Sequence, residues 1–232
     1  MDASIKKFGF DDPGADTIVF SFAGQGRALV VDFEWVNFFT QRKVKLVCVK
    51  DAHKAYYMGN LYGDDGKSIS KGVDSHTELF QSYINESKCK NVVLTGSSLG
   101  GYAAALYGVL LNANYVLPYS AQTFIRKHPV YGRNDRPHLS AWARRRASNE
   151  DKQKYFDLTD LNYDNFTGEM HFHWSKSWRD DRYFKHMSEF CETYKTNQNA
   201  KGIIDTKIHG VTYRHANLCK CLKKSGLLKE HF

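Results

Sequence analysis

The residue best placed to act as a nucleophile is Ser98, in the pentapeptide Gly96-Ser97-Ser98-Leu99-Gly100. A Gly-x-Ser-x-Gly sequence is typical of a sharp turn between a strand and a helix, from which the serine hydroxyl projects at the edge of a sheet. Small neighbours are required because the two backbones nearly touch, and the glycines provide that room. Ser98 is therefore a candidate for attack on a carbonyl carbon. The competing interpretation is a tight turn without catalysis.

The segments around this turn are those needed to position it. Residues 91–97 form an apolar run typical of a strand, and residues 99–112 are apolar on nearly all sides, as in a buried helix. Elsewhere short apolar runs alternate with amphipathic ones, which predicts βαβ units and a parallel sheet. The predicted strands are 17–23, 44–50, 91–97, 114–120, 169–175 and 202–209, and the predicted helices are 33–41, 73–87, 99–112, 181–194 and 215–229.

These elements predict an α/β three-layer sandwich: a mostly parallel sheet of about six strands with helices on both faces. We expect one domain over residues 1–232, a long loop at 51–72 and an irregular cap around 122–167. Asp74 or Ser75 is expected to cap the helix that begins near residue 73.

The segment GSSLGGYAA and the order of elements along almost the whole chain resemble the α/β-hydrolase family. The antiparallel strand pair that usually precedes the first parallel strand is absent or reduced before Thr17. Three segments are similar to bacterial hydrolases of unassigned substrate that are encoded near glycan genes. They are KDAHKAYYMGNLYG (50–63), GSSLGGYAAALYG (96–108) and YSAQTF (119–124).

The resemblance implies a catalytic triad in the chain order nucleophile, acid, histidine. Asp181 follows the next-to-last predicted strand and is the preferred acid, with Asp180 as the alternative; Asp181 could also simply cap the following helix. His215 is the preferred base, and His209, at the end of the last strand, is the alternative. Ser98, His215 and Asp181 would then act as in other Ser-His-Asp enzymes.

An oxyanion hole needs two hydrogen-bond donors. The resemblance implies the backbone N–H of Leu99 as one donor and the N–H of Gly24 or Gln25, after the first parallel strand, as the other. Gln122 and Tyr57 are predicted to bind substrate. The tyrosines of the 51–72 loop could equally pack that loop down.

The function predicted from these residues is a serine esterase or deacylase that forms an acyl-enzyme on Ser98. An acyltransferase or thioesterase with the same triad is the alternative, and a non-catalytic binding protein with this fold is an alternative of a different class. The expected partner is a small-molecule or glycan-linked acyl substrate. No metal and no organic cofactor are implied, and nothing indicates an oligomeric state.

The formal net charge is +8, and basic residues are concentrated between residues 122 and 147. This segment favours an anionic substrate or is simply a solvated charged face; no nucleic-acid-binding module accompanies it, so nucleic acid is not expected. No stretch approaches the roughly 20 apolar residues of a membrane span, and no signal peptide precedes residue 10, so a soluble, cytoplasmic protein is expected. Five irregularly spaced cysteines predict neither a disulfide framework nor a metal site.

Overall fold

The computed structural model describes residues 3–24, 33–126, 130, 137–174, 182–190 and 203–208. The strands in these residues are β1 (Ile5–Phe8), β2 (Thr17–Phe22), β3 (Lys45–Val49), β4 (Asn60–Tyr62), β5 (Ser68–Lys71), β6 (Asn91–Ser97), β7 (Tyr115–Tyr119), β8 (Glu169–Trp174) and β9 (Ile203–Ile208). The helices are α1 (Val36–Phe39), α2 (Val73–Ser87), α3 (Leu99–Leu110), α4 (Pro137–Arg146) and α5 (Asn149–Lys154), followed by a 3-10 turn (Leu158–Asp160). Residues 182–190 are also helical.

Seven of the described strands form one sheet in the order β1-β3-β2-β6-β7-β8-β9. The six strands from β3 to β9 in this order are parallel, as the sequence predicts. Strand β1 pairs antiparallel with β3 at one edge, and it is the one strand before β2 among the described residues. Since β6 lies in the middle of the sheet, the turn that follows it has strands on both sides.

The central strands of the sheet are buried on both faces. Successive residues of β3 alternate between the faces: Leu46 and Cys48 belong to one apolar cluster, whereas Val47 and Val49 belong to the larger cluster on the opposite face. The larger cluster includes residues of α2, α3 and the helical residues 182–190, and the smaller one includes Phe39 of α1. Burial on both faces explains why the strands appear in the sequence as continuous apolar runs.

Helix α2 has the bounds that the sequence predicts, but its N-terminus is not capped by Asp74 or Ser75. The N-cap residue is Gly72, which offers no side-chain cap. The Val73 N–H donates instead to the carboxylate of Asp151, in α5, at 3.4 Å. The prediction was wrong because the cap comes from a residue distant in sequence. The same contact fixes α5 to the N-terminus of α2.

The two segments without a regular pattern in the sequence contain short elements. The predicted loop at 51–72 includes the antiparallel hairpin β4–β5, and the predicted cap at 122–167 includes α4 and α5. The Tyr102 hydroxyl, on α3, donates to the Tyr155 carbonyl, and the Tyr155 hydroxyl donates to Asp74 at 2.6 Å. These bonds hold the segment after β7 against α2 and α3.

Helix α1 is shorter than the predicted 33–41, and the last predicted helix, 215–229, lies outside the described residues. No helix in the described part of the chain is long and apolar enough to cross a membrane.

Candidate active site

Ser98 lies in the turn between β6 and α3 with φ 53° and ψ −113°. A positive φ is uncommon for a residue with a side chain and strains the backbone, and such strain is concentrated at functional sites. The Ser98 N–H donates to the carbonyl oxygen of Tyr119, at the end of β7, at 2.8 Å. The turn is therefore held from the neighbouring strand, at the carboxyl edge of the parallel sheet, where ligands bind in open α/β folds.

The glycines of the turn are required by close backbone contacts. A Cβ atom on Gly96 would lie 2.3 Å from the carbonyl oxygen of Gly100, and one on Gly100 would lie 2.1 Å from that of Phe22, in β2. A Cβ on Gly101 would lie 3.0 Å from the Ala121 Cβ. The packing explains the sequence motif: β2, β6 and α3 approach so closely that no side chain fits between them.

The hydroxyl of Ser98 is buried, with 8% of the residue exposed, and its oxygen has no hydrogen-bond partner among the described residues. The same holds for the Ser120 hydroxyl and the Gln122 side-chain oxygen, which follow β7 at the same edge of the sheet. Buried polar atoms normally have a partner. Three without a described partner lie at the carboxyl ends of two adjacent strands, which makes this edge of the sheet the candidate site for a polar ligand. The assignment of Gln122 to substrate binding stays a prediction.

Both described donors of the predicted oxyanion hole belong to segments that adjoin the turn. Leu99 is the first residue of α3, where backbone N–H groups have no partner within the helix. Gly24 adjoins the same turn, since a Cβ on it would lie 2.8 Å from the Ser97 carbonyl oxygen. Gln25, the other candidate, lies outside the described residues.

A carboxylate that the sequence reasoning missed lies beside these groups. The Ser97 hydroxyl donates to Glu34 Oε2 at 2.7 Å, and Glu34 Oε1 lies 3.2 Å from the position that a Cβ of Gly24 would occupy. The Ser21 hydroxyl donates to the Glu34 carbonyl at 2.9 Å. Glu34 belongs to no motif; its only signal in the sequence is an acidic residue among aromatic ones, soon after the loop that begins at Gly24.

Tyr57, the other residue predicted to bind substrate, lies in the apolar core beside β2. Its side chain is buried, with 1% of the residue exposed, and it packs edge-on against Phe22 with ring centroids 5.3 Å apart. Its hydroxyl donates to the Ala23 carbonyl at 2.7 Å, with the Val49 carbonyl at 3.1 Å. The tyrosine therefore packs its loop against the sheet, which is the other role considered, and its predicted role in substrate binding stays a prediction.

The remaining triad candidates, Asp180, Asp181, His209 and His215, lie outside the described residues. The strands that precede them in the chain, β8 and β9, run parallel to β7 and end at Trp174 and Ile208, at the same edge of the sheet as the Ser98 turn. The identity of the acid and of the base stays a prediction.

A buried acid–base pair lies between the segment after β7 and the helical residues 182–190. His186 Nε2 lies 3.2 Å from Asp157 Oδ1, and its Nδ1 lies 2.9 Å from the Thr123 hydroxyl. Burial alone would raise the pKa of Asp157, but the hydrogen bond and charge of His186, together with two bonds from Thr159, outweigh burial and lower it. The pair anchors the helical residues that directly follow Asp181 in the chain.

Within the described residues, no group of three or more histidine, cysteine, aspartate or glutamate side chains is arranged to hold a metal ion.

The sheet order, the strained serine turn and the buried helix behind it define an α/β-hydrolase fold, and solved structures agree. The capsule O-acetyltransferase of Neisseria meningitidis serogroup A is 17% identical, with a TM-score of 0.61 over 93% of this chain and 87% of that one. FphF, a fluorophosphonate-binding serine hydrolase of Staphylococcus aureus, is 12% identical, with a TM-score of 0.56 over 94% and 86%. An S-formylglutathione hydrolase from Agrobacterium tumefaciens is 11% identical, with a TM-score of 0.58 over 96% and 85%.

No protein-family model matches the sequence, and no curated protein sequence is significantly similar to it. At these identities, the structural likeness establishes the fold, and activity has to be argued from the site.

Proposed function

We propose that the protein is a serine esterase that transfers the acyl group of a carboxylic ester to Ser98 and then to water. The observation that carries the proposal is the buried Ser98 hydroxyl, which has no partner among the described residues, on a strained turn at the carboxyl edge of the sheet. The positive φ of Ser98 and the backbone contacts that require Gly96 and Gly100 are what a nucleophile turn needs. His215, the proposed partner of the hydroxyl, lies outside the described residues.

In the proposed reaction, His215 takes the Ser98 proton as the serine oxygen attacks the ester carbonyl, and Asp181 stabilises the charged imidazole. The N–H groups of Leu99 and Gly24 stabilise the oxyanion that forms. Collapse of this intermediate breaks the ester bond, and the leaving alcohol receives the proton from His215. Water then attacks the acyl-enzyme with His215 again as the base, which releases the acid and restores Ser98.

An acyltransferase is the second candidate, because one of the proteins of similar structure is a capsule O-acetyltransferase. Its chemistry differs only in the second step, where a hydroxyl of an acceptor such as a glycan takes the place of water. The substrate class we propose is therefore a small, glycan-linked acyl ester. The exposed arginines at 144–146 are compatible with an anionic group on that substrate.

The test is labelling by a fluorophosphonate probe, with the labelled peptide located by mass spectrometry. We expect the wild type to be labelled on Ser98 and Ser98→Ala to be unlabelled. The matched control is Ser4→Ala, which removes another buried hydroxyl without a described partner, just before β1, and should leave labelling on Ser98. Label on Ser120 would contradict the assignment of the nucleophile to Ser98. No label on the folded wild type would contradict the esterase proposal and favour a binding protein.

A second experiment distinguishes a hydrolase from a transferase by whether the acyl group passes from Ser98 to water or to an added acceptor. After the enzyme is acetylated with p-nitrophenyl acetate, release of acetate into water is compared with transfer to added oligosaccharide. An esterase releases acetate at a rate that the oligosaccharide does not change. Acetylated oligosaccharide formed at the expense of acetate would establish the transferase instead.

A further inference from the structure

The Ala23–Gly24 peptide bond, at the end of β2, is held from the side of β3. The Ala23 N–H donates to the Val49 carbonyl oxygen at 2.9 Å. In extended backbone the N–H and C=O of one residue point to the same side, so the Ala23 carbonyl also faces β3. The Tyr57 hydroxyl meets it there at 2.7 Å.

This orientation fixes the direction of the next N–H group. A trans peptide is planar, with its C=O and N–H pointing in opposite directions. Because the Ala23 carbonyl faces β3, the Gly24 N–H faces β6, the other neighbour of β2, where Phe22 pairs with Gly96 just before the Ser98 turn. Among the described residues, the Gly24 N–H has no acceptor.

Tyr57 is itself rigidly placed. Its N–H donates to the buried Asp51 carboxylate at 2.9 Å, and its carbonyl accepts from the Tyr107 hydroxyl at 2.7 Å. Burial raises the pKa of the Tyr57 phenol well above its usual value, and the carboxylates of Asp51 and Glu34 raise it further. The hydroxyl therefore remains protonated, and remains a donor, throughout the neutral range.

We propose that Tyr57 is a positioning residue for the oxyanion hole: its hydroxyl holds the Ala23 carbonyl so that the Gly24 N–H is directed at the oxygen of the substrate bound to Ser98. A hydrogen bond accepted by the carbonyl also polarises the peptide and strengthens its N–H as a donor. The inference rests on the proposed esterase function. It assigns the second oxyanion donor to Gly24 and gives the buried tyrosine a part in catalysis without contact with substrate.

The first test compares ester hydrolysis by the wild type, Tyr57→Phe and Tyr163→Phe. Tyr163 is the matched control, since it is equally buried and its hydroxyl donates to the Leu158 carbonyl at 2.8 Å, outside the turn. Loss of a whole oxyanion donor lowers kcat about 100-fold or more, so loss of its support is expected to lower kcat about tenfold with KM nearly unchanged. Tyr163→Phe should lose comparable stability but no activity.

The outcomes separate the two proposals. A folded wild type that neither hydrolyses esters nor reacts with the fluorophosphonate contradicts the esterase function itself. An active wild type with Tyr57→Phe equally active, or with kcat lowered to the same extent in Tyr163→Phe, contradicts only the role of Tyr57.

A second measurement follows the Ala23–Gly24 peptide bond directly by NMR. The dipeptide Ala-Gly occurs once in the sequence, at Ala23-Gly24, so labelling alanine with 13C at the carbonyl and glycine with 15N gives a single correlated amide resonance. We expect Tyr57→Phe to shift the Gly24 amide proton upfield, because its peptide loses polarisation, and Tyr163→Phe to leave it in place. An unshifted resonance in folded Tyr57→Phe would overturn the proposal.

Discussion

Acidification from pH 7.5 to pH 4.5 is expected to destabilise the protein through His76, in the first turn of α2. The residue is fully buried, its ring packs near Phe80 and Tyr107, and its Nδ1 is hydrogen-bonded to the Ser70 hydroxyl. Burial, opposed only in part by a hydrogen bond with the Gly59 backbone, lowers the pKa of His76 from 6.5 to about 4.

Acid lowers the free energy of unfolding because the proton on His76 binds the unfolded chain more tightly than the folded one. Between pH 6.5 and about 4 the unfolded chain carries a proton on His76 and the folded chain does not, so acid favours unfolding. The contribution of His76 is fully present above pH 6.5 and is lost as pH falls through this window. A single group with these two pKa values removes about 1 kcal/mol of the free energy of unfolding by pH 5.5 and roughly 2–3 kcal/mol by pH 4.5.

The assay is urea denaturation of the wild type and His76→Asn at pH 7.5, 5.5 and 4.5. The asparagine amide can take over the bond to Ser70 but does not titrate, so the difference in unfolding free energy between the two proteins should narrow by roughly 2–3 kcal/mol across this range. His53→Asn, at a half-buried histidine, controls for histidine replacement as such. A gap between wild type and His76→Asn that stays constant with pH would refute the reasoning.

Three further predictions concern the turn, the buried pair and the basic helix. Gly100→Ala places a Cβ 2.1 Å from a backbone oxygen of β2, so it is expected to lower the free energy of unfolding by about 3 kcal/mol or more and to abolish fluorophosphonate labelling. Urea denaturation and labelling measure both effects, and Gly14→Ala, at an exposed position, is the control. Asp157→Asn removes the carboxylate beside buried His186 and should lower the free energy of unfolding by about 2 kcal/mol in urea denaturation at pH 7. The pKa of Asp157 in the folded protein lies below its usual 3.8, so the carboxylate stays charged down to about pH 4. A difference from the wild type that disappears well above pH 4 would contradict this. Glutamine at 144–146 should raise KM roughly tenfold for an anionic ester at low salt but not for a neutral one, and an equal effect on both esters would count against an anionic substrate.

The sequence predicted the parts of the molecule that local rules govern. The Ser98 turn could be located because its steric demand falls on Gly96 and Gly100, two residues away on either side. The bounds of α2 followed from helical periodicity over its own fifteen residues. The parallel sheet followed from the alternation of apolar strands and amphipathic helices.

Other features could not be predicted because their partners are distant in sequence. The cap of α2 is Asp151, 78 residues beyond Val73. Glu34 reaches the turn through Ser97, 63 residues away. No pattern around either carboxylate indicates such a partner, since the contact exists only once the sheet order has brought the segments together.

Tyr57 shows most clearly which features the sequence determined and which depend on the tertiary structure. The sequence by itself determined that a serine turn, a glycine loop after the first parallel strand and a tyrosine-rich loop would meet at the carboxyl edge of a parallel sheet. Only the tertiary structure decided that the Tyr57 hydroxyl faces the Ala23 carbonyl, 34 residues away, and not the solvent or a ligand. The physical reason is that a side chain's direction depends on the path of its loop, here fixed by Asp51, and on the packing around it, neither of which leaves a periodic signal in the sequence.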